Sequence, residues 1–196
     1  YLSVQSAIIL IGFSAVNWIL EIFKWKHLVS SFKEISFFEA TKQSLGSLTA
    51  SIFTPNRIGE YGAKVLYFSK ENSKQIVLLN FIGNSSQMLV TTFFGVIGVQ
   101  LIGLNFQVSN WVIFGFIIAA FLFLFLFKNV EIYGFSIQKL IQKITSFPLV
   151  FHRKNLLLSV LRYLIFSCQF FLLLLTFEIE IAFKIAFGTI FSMYLL

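Results

Sequence analysis

Aspartate is missing altogether from the 196 residues; the eight acidic side chains are all Glu. Without Asp there is no DxD metal grip of a nucleotide-sugar transferase, no aspartyl-phosphate nucleophile and no EF-hand loop. The lone cysteine, Cys168, sits in an apolar run and has no second cysteine in the chain to pair with. His27 and His152 stand far apart in sequence and match neither HExxH nor any zinc spacing. Walker A, GxSxG and GxGxxG patterns do not occur. Neither metal nor cofactor is therefore expected, and nothing here reads as a catalytic domain. Charge is scarce too: 12% of residues, against about 25% in a soluble domain, while 58% are hydrophobic and the mean hydropathy is +0.87. That excludes an ordinary water-soluble globule. At roughly 20 apolar residues per bilayer span, the length holds about five helices in a single membrane domain and no separate soluble one. The first residue is Tyr1, not Met, and both ends fall in or beside hydrophobic segments, so the sequence reads as part of a longer one.

Five apolar segments predict spans at about 4–23, 76–104, 111–127, 156–177 and 181–196. Backbone polar groups find no partner in lipid, and no alternating ten-residue pattern suggests a barrel, so the expected fold is all-α, a polytopic helical bundle. Fourteen of the 15 Lys and Arg lie in two stretches, Lys24 to Lys74 and Lys128 to Arg162; the turn from Gly103 to Asn110 has none. By the positive-inside rule the two basic connections are cytoplasmic and the first span runs from outside to inside. The net charge of +7 is then a charge of the cytoplasmic face, serving topology and attracting anionic headgroups at about 1 kcal/mol per basic residue. Nucleic acid is not an expected partner. Within the second connection, residues 131–146 read as an interfacial amphipathic helix, with Phe135, Ile137, Leu140, Ile141 and Ile144 toward the membrane and Lys139 and Lys143 toward water.

Three of the predicted spans carry a polar seam at helical spacing: Ser14, Asn17, Glu21 and Lys24; Asn80, Asn84, Gln87 and Thr91, extended by Gly95 and Gly98; and Asn155, Ser159, Arg162, Gln169 and Thr176. Each seam reads either as hydrogen bonding across helix interfaces or as the lining of a cavity. Glu21 lies one turn inside the basic edge with Lys24 in reach, a structural ion pair or a transport residue; Lys24 and Arg162 are near enough to the cytoplasmic edge to snorkel.

The stretch from about 37 to 68 is too polar to cross and too apolar for a plain loop. Small residues fill its first half, and then Thr54-Pro55-Asn56-Arg57-Ile58-Gly59-Glu60-Tyr61-Gly62 breaks it. Pro55 should end one helix, the glycines permit unusual turns, and a second helix should run from about Glu60 to Phe68. Helix, break and helix with both ends cytoplasmic describe a re-entrant hairpin; the other reading is an interfacial loop whose Arg57 and Glu60 pair at the surface. In the re-entrant reading Arg57 holds a lipid phosphate bidentately and Glu60 orients it or engages an amine.

Asn17-Trp18 with Glu21 and Lys24-Trp25, Ser36-Phe37 with Glu39-Ala40, Leu158-Ser159-Val160-Leu161-Arg162-Tyr163, and above all Thr54 to Tyr61 resemble the transmembrane domain of the lysylphosphatidylglycerol synthase and flippase family. The resemblance implies a polytopic bacterial or archaeal inner-membrane protein with re-entrant segments around a lipid-accessible cavity, and in some members movement of aminoacylated phospholipid between leaflets. Two departures stand out. Lys24-Trp25 occupies the place of the family's Arg-Trp pair, and the second proline- and glycine-rich break, with its Arg-Glu pair, should follow the fifth span, where the sequence ends at Leu196. No aminoacyl-transferase domain is present, so lipid synthesis is not assigned to these residues.

The expected function is therefore binding and translocation of an amphipathic phospho- or aminoacyl-lipid, with Arg57, Glu60, Asn56 and Tyr61 at the headgroup, Pro55 and Gly59 forming the break, and Asn80, Asn84, Gln87, Glu21, Lys24 and Arg162 lining the path. Expected partners are anionic or aminoacylated phospholipids, with a partner transferase and oligomers also open. Two rival readings are an accessory or enzyme component of polyprenyl-phosphate, glycolipid or aminoacyl-lipid synthesis, for which Glu60 or Glu21 is the available acid or base, and a scaffold that recruits a transferase.

Overall fold

A computed structural model describes residues 3–55, 58–103, 137–179 and 181–193. The span predicted at 111–127, residues 131–136 of the interfacial helix, and Asn56 and Arg57 lie outside the described residues. Contacts divide the chain into two units, Tyr1–Gly103 with Val150–Leu196, and Leu104–Leu149.

In the first unit, α1 (Val4–Val29), α4 (Ser73–Leu101) and α6 (Leu149–Thr176) are long and apolar enough to cross a bilayer. At 1.5 Å per residue each is about 40 Å long, against a hydrocarbon core of about 30 Å. Side chains such as Ile8, Ile11, Met88, Leu89, Phe93 and Leu157 are exposed along them, a surface that water would oppose and lipid accepts. The chain is thus an all-helical membrane protein among its described residues. α7 (Phe183–Ser192) is shorter and equally apolar.

The helices overrun the boundaries that hydropathy suggests. α1 continues past Phe23 to Val29, and α6 begins at Leu149 rather than near Leu156. Hydropathy falls where Lys24 and Lys26 or Arg153 and Lys154 enter the sequence, but packing does not: Trp25, Leu28 and Val29 are among the most buried side chains of the protein, and Phe151 is buried as well. Ser3 caps the start of α1, accepting from Ser6 N–H at 3.1 Å, and Lys26 and His27 sit favourably in its last turn.

Between α1 and α4 lie α2 (Phe37–Ile52) and α3 (Ile58–Val65), packed on each other and on both long neighbours. Neither is long enough to cross. α2 starts with a capping box: Ser36 Oγ accepts from Glu39 N–H at 3.1 Å, and Ser36 N–H donates to Glu39 Oε2 at 2.8 Å. It ends before the exposed Pro55. α3 begins two residues earlier than expected and stops three earlier, at Val65.

Side-chain bonds fix the directions. His27, Glu21, Asn17 and Ser14 of α1 meet Phe151, Arg162, Arg162 and Gln169 of α6 in that order, so the two run antiparallel. Asn155 reaches Ser86 and Gln87 reaches the Ser159 carbonyl, so α4 is parallel to α6. On the far half of α4, Val90, Tyr163, Ile190 and Phe191 form an apolar core with Phe94, Phe171 and Phe187 packed around it.

The second unit contains α5 (Ile137–Thr145), strongly amphipathic, with Lys139 and Lys143 exposed and Leu140 and Ile144 half-buried.

Candidate functional site

Charge is buried where α1, α3, α4 and α6 meet. Lys64 is 1% exposed and donates to Glu60 Oε1 at 2.7 Å, one turn back on α3, and to Asn80 Oδ1 at 2.8 Å on α4. Its ammonium lies 4.1 Å from the centre of the Trp25 ring on α1, a cation–π contact strengthened by exclusion of water. Trp25 Nε1–H in turn donates to Gln43 Oε1 of α2 at 2.7 Å. One buried lysine therefore ties four helices into a single polar core.

A second node lies deeper along α1. Arg162 Nη1–H donates to Glu21 Oε2 at 2.6 Å and Nε–H to Asn17 Oδ1 at 2.9 Å. Arg162 does not snorkel; its guanidinium bonds the α1 seam, because α6 runs antiparallel to α1 and brings it beside Asn17 and Glu21. Lys24 stands 3.6 Å from the same Glu21 oxygen and 3.5 Å from Gln87 Oε1. The guanidinium holds the carboxylate closely, and the ammonium, only 2% exposed, holds it loosely. Lys24 lies about 8 Å inside the end of α1 at 1.5 Å per residue. Among the described residues, Glu21 and Glu60 face Lys24, Lys64 and Arg162. Placing ionised groups this way inside a bilayer is expensive, and proteins keep them there chiefly for function.

The α4 seam disperses among partners. Asn80 belongs to the Lys64 node, Asn84 Nδ2–H donates to the half-buried Tyr61 hydroxyl at 3.2 Å, and Gln87 bridges Lys24 and the Ser159 carbonyl. Thr91 turns back to the Gln87 carbonyl. Gly98 is not part of a polar lining: a Cβ there would stand 2.6 Å from the Gly188 carbonyl oxygen and from Ser192 N, so it exists to let α7 approach.

Gly59 also differs from expectation. Its φ is not positive; Gly103 is the one such glycine among the described residues. A Cβ on Gly59 would meet the Ala50 carbonyl oxygen at 2.5 Å and Thr54 Oγ1 at 2.7 Å. Thr54 Oγ1 accepts from Gly59 N–H at 2.8 Å, which satisfies an open donor at the start of α3 and pins it to the end of α2. Close approach, not turn geometry, requires glycine at this position, and Gly62 has open space around it.

Of the headgroup residues named from sequence, Glu60 and Tyr61 thus join the polar core, while Asn56 and Arg57 lie outside the described residues. Lys64 and Gln43 were missed. The spacing of Glu60 and Lys64, four apart on a helix, was the available signal for Lys64; Gln43 had none. Among the described residues no three His, Cys, Asp or Glu side chains gather as a metal site would require. An open groove of about 510 Å³ runs along the first turns of α6, where Arg153 and Lys154 stand beside Val150, Leu156, Leu157 and Val160. Compared with known proteins, the chain matches no family model, no curated protein and no solved structure.

Proposed function

We propose that this chain is a flippase-like protein of the lysylphosphatidylglycerol synthase and flippase kind, which binds an amphipathic phospho- or aminoacyl-lipid by its headgroup and moves it between leaflets of a bacterial cytoplasmic membrane. The observation that carries this reading is the ion cluster of Glu21, Lys24, Glu60, Lys64 and Arg162 inside helices whose outer surface is apolar. A stable bundle needs no such cluster, since apolar replacements of buried ion pairs are commonly neutral or stabilising.

In this reading α2 and α3 form a re-entrant hairpin entered and left from the basic, cytoplasmic side, with the break at Pro55 and Gly59 letting α3 approach α2. Arg57, which precedes α3 in the chain, grips the lipid phosphate; Asn56 and Tyr61 hydrogen-bond beside it, and Glu60 orients the group. Asn80, Asn84 and Gln87, with Glu21, Lys24 and Arg162, offer successive polar contacts weak enough for release. The groove of Arg153 and Lys154 against an aliphatic wall has the chemistry of a headgroup above an acyl chain.

The test is leaflet exchange in liposomes containing the reconstituted protein and a headgroup-quenchable phospholipid. Fast exchange in wild type that is lost in Arg57→Ala and in Glu60→Ala, with both variants folded, supports the reading. Absence of exchange for anionic, aminoacylated and polyprenyl lipids alike overturns it.

A further inference from the structure

Opposite sides of the first half of α6 meet different surroundings. Asn155 and Arg162 point inward, Asn155 to Ser86 of α4 and Arg162 to Asn17 and Glu21 of α1. At 3.6 residues per turn, Val150, Arg153 and Leu157 project from the other side, and all three are exposed. With Lys154, Leu156 and Val160 they line the groove of about 510 Å³, a volume within the roughly 300–1,000 Å³ of ligand sites.

Charge and level in the bilayer together fit one class of occupant. Arg153 and Lys154 are exposed, and neither has an ion-pair or hydrogen-bond partner among the described residues. Leu156, Leu157 and Val160 follow them, up to about 10 Å further along the axis. α6 has 28 residues, so at 1.5 Å each it exceeds a hydrocarbon core of about 30 Å by roughly 6 Å at either end. That puts the two cations level with lipid phosphates and the aliphatic wall level with the upper acyl chain. A soluble anion would use the cations and leave the wall bare; a neutral lipid would cover the wall and leave the cations unmatched. We infer that the groove is a second lipid site, distinct from the polar core, holding one anionic phospholipid of the surrounding bilayer against the outer side of α6.

The inference goes beyond translocation and does not require it, because a lipid on this side of α6 stays clear of the ion cluster. Arg153 takes the phosphodiester oxygens with its planar fork and Lys154 adds a point charge beside it. Two basic residues at a membrane surface together favour an anionic headgroup by about thirtyfold.

The experiment counts lipids bound to the detergent-solubilised protein by native mass spectrometry. Phosphatidylglycerol, phosphatidylcholine and, as a headgroup without chains, glycerol phosphate are titrated onto wild type, Lys154→Arg, Lys24→Gln and the pair Arg153→Gln with Lys154→Gln; thermal unfolding checks that each variant is folded. Wild type should retain one phosphatidylglycerol that phosphatidylcholine displaces only at about thirtyfold excess. The Gln pair should bind one phosphatidylglycerol fewer, whatever else it binds, while Lys154→Arg and Lys24→Gln keep it. An equal count in wild type and the folded Gln pair overturns the inference, and a lipid lost in Lys24→Gln instead moves the site to the polar core. Glycerol phosphate that binds as tightly as the lipid would assign the cations to free phosphate and overturn the lipid source. Leaflet exchange is a separate readout: its absence overturns translocation and leaves this site standing.

Discussion

The two halves of α4 face opposite chemistries. Toward its N-terminus, Asn80, Gly83 and Gln87 meet Lys24, Leu28 and Lys64; toward its C-terminus, Val90, Phe94 and Gly98 meet Tyr163, Gly188 and Phe191. Both halves use glycine to bring helices close, so packing alone does not distinguish them. The aromatic half has what a membrane bundle needs for stability: van der Waals contact and stacked rings, such as Phe94 on Tyr163 with centroids 5.0 Å apart. The polar half carries buried ion pairs, whose replacement as a whole by apolar residues is often neutral or stabilising. In the proposed reading, one end of the helix supports the bundle and the other carries the function.

The largest effect should come from splitting a pair in the polar half. Lys64→Met withdraws the 2.7 Å ammonium from the Glu60 carboxylate and the partner of Asn80 Oδ1, and should lower stability by about 3–5 kcal/mol, read by unfolding in detergent. In the aromatic half, Gly98→Ala drives a methyl into the α7 backbone and should cost about 1–3 kcal/mol with exchange per folded molecule unchanged. Gly12→Ala, whose Cβ meets nothing within 4 Å, should leave thermal stability as it is.

The long apolar helices were legible in sequence because lipid imposes length and composition, and the seams of α1 and α6 were legible because polar residues recur at three- and four-residue steps. Their pairing was not. That Arg162 bridges Asn17 and Glu21, rather than reaching for the surface, depends on the antiparallel register of α1 and α6, and a helical seam carries no record of its partner. Hydropathy also misplaced the ends of α1 and α6, since it cannot tell a buried Lys24 or Trp25 from the start of a loop. Gly59 was read as a turn residue because a close approach between α2 and α3 leaves the same signature as a left-handed backbone.

Smaller effects sharpen the comparison further. Gln169 donates to Ser14 Oγ at 2.7 Å and to the Leu10 carbonyl at 3.3 Å, away from the ion cluster; Gln169→Leu should cost about 0.6 kcal/mol, the average for such a bond within a bilayer, and spare exchange. At the start of α2, hydrogen bonds from the Ser36 backbone N–H and hydroxyl hold the exposed Glu39 carboxyl below its usual pKa. A depressed folded pKa stabilises above the unfolded value and is lost as pH falls through the folded one. The protection factor against hydrogen exchange at the first turn of α2, the rate of an unstructured amide at the same pH divided by the measured rate, should therefore fall on acidification, and Ser36→Ala should flatten that dependence.

The most direct measurement of the central claim replaces the deeper node as a whole, Glu21→Leu, Lys24→Leu and Arg162→Met in one protein, and records thermal unfolding and leaflet exchange together. The account predicts a fold as stable as wild type or more so, with exchange abolished. A folded triple variant that exchanges lipid at the wild-type rate would contradict it.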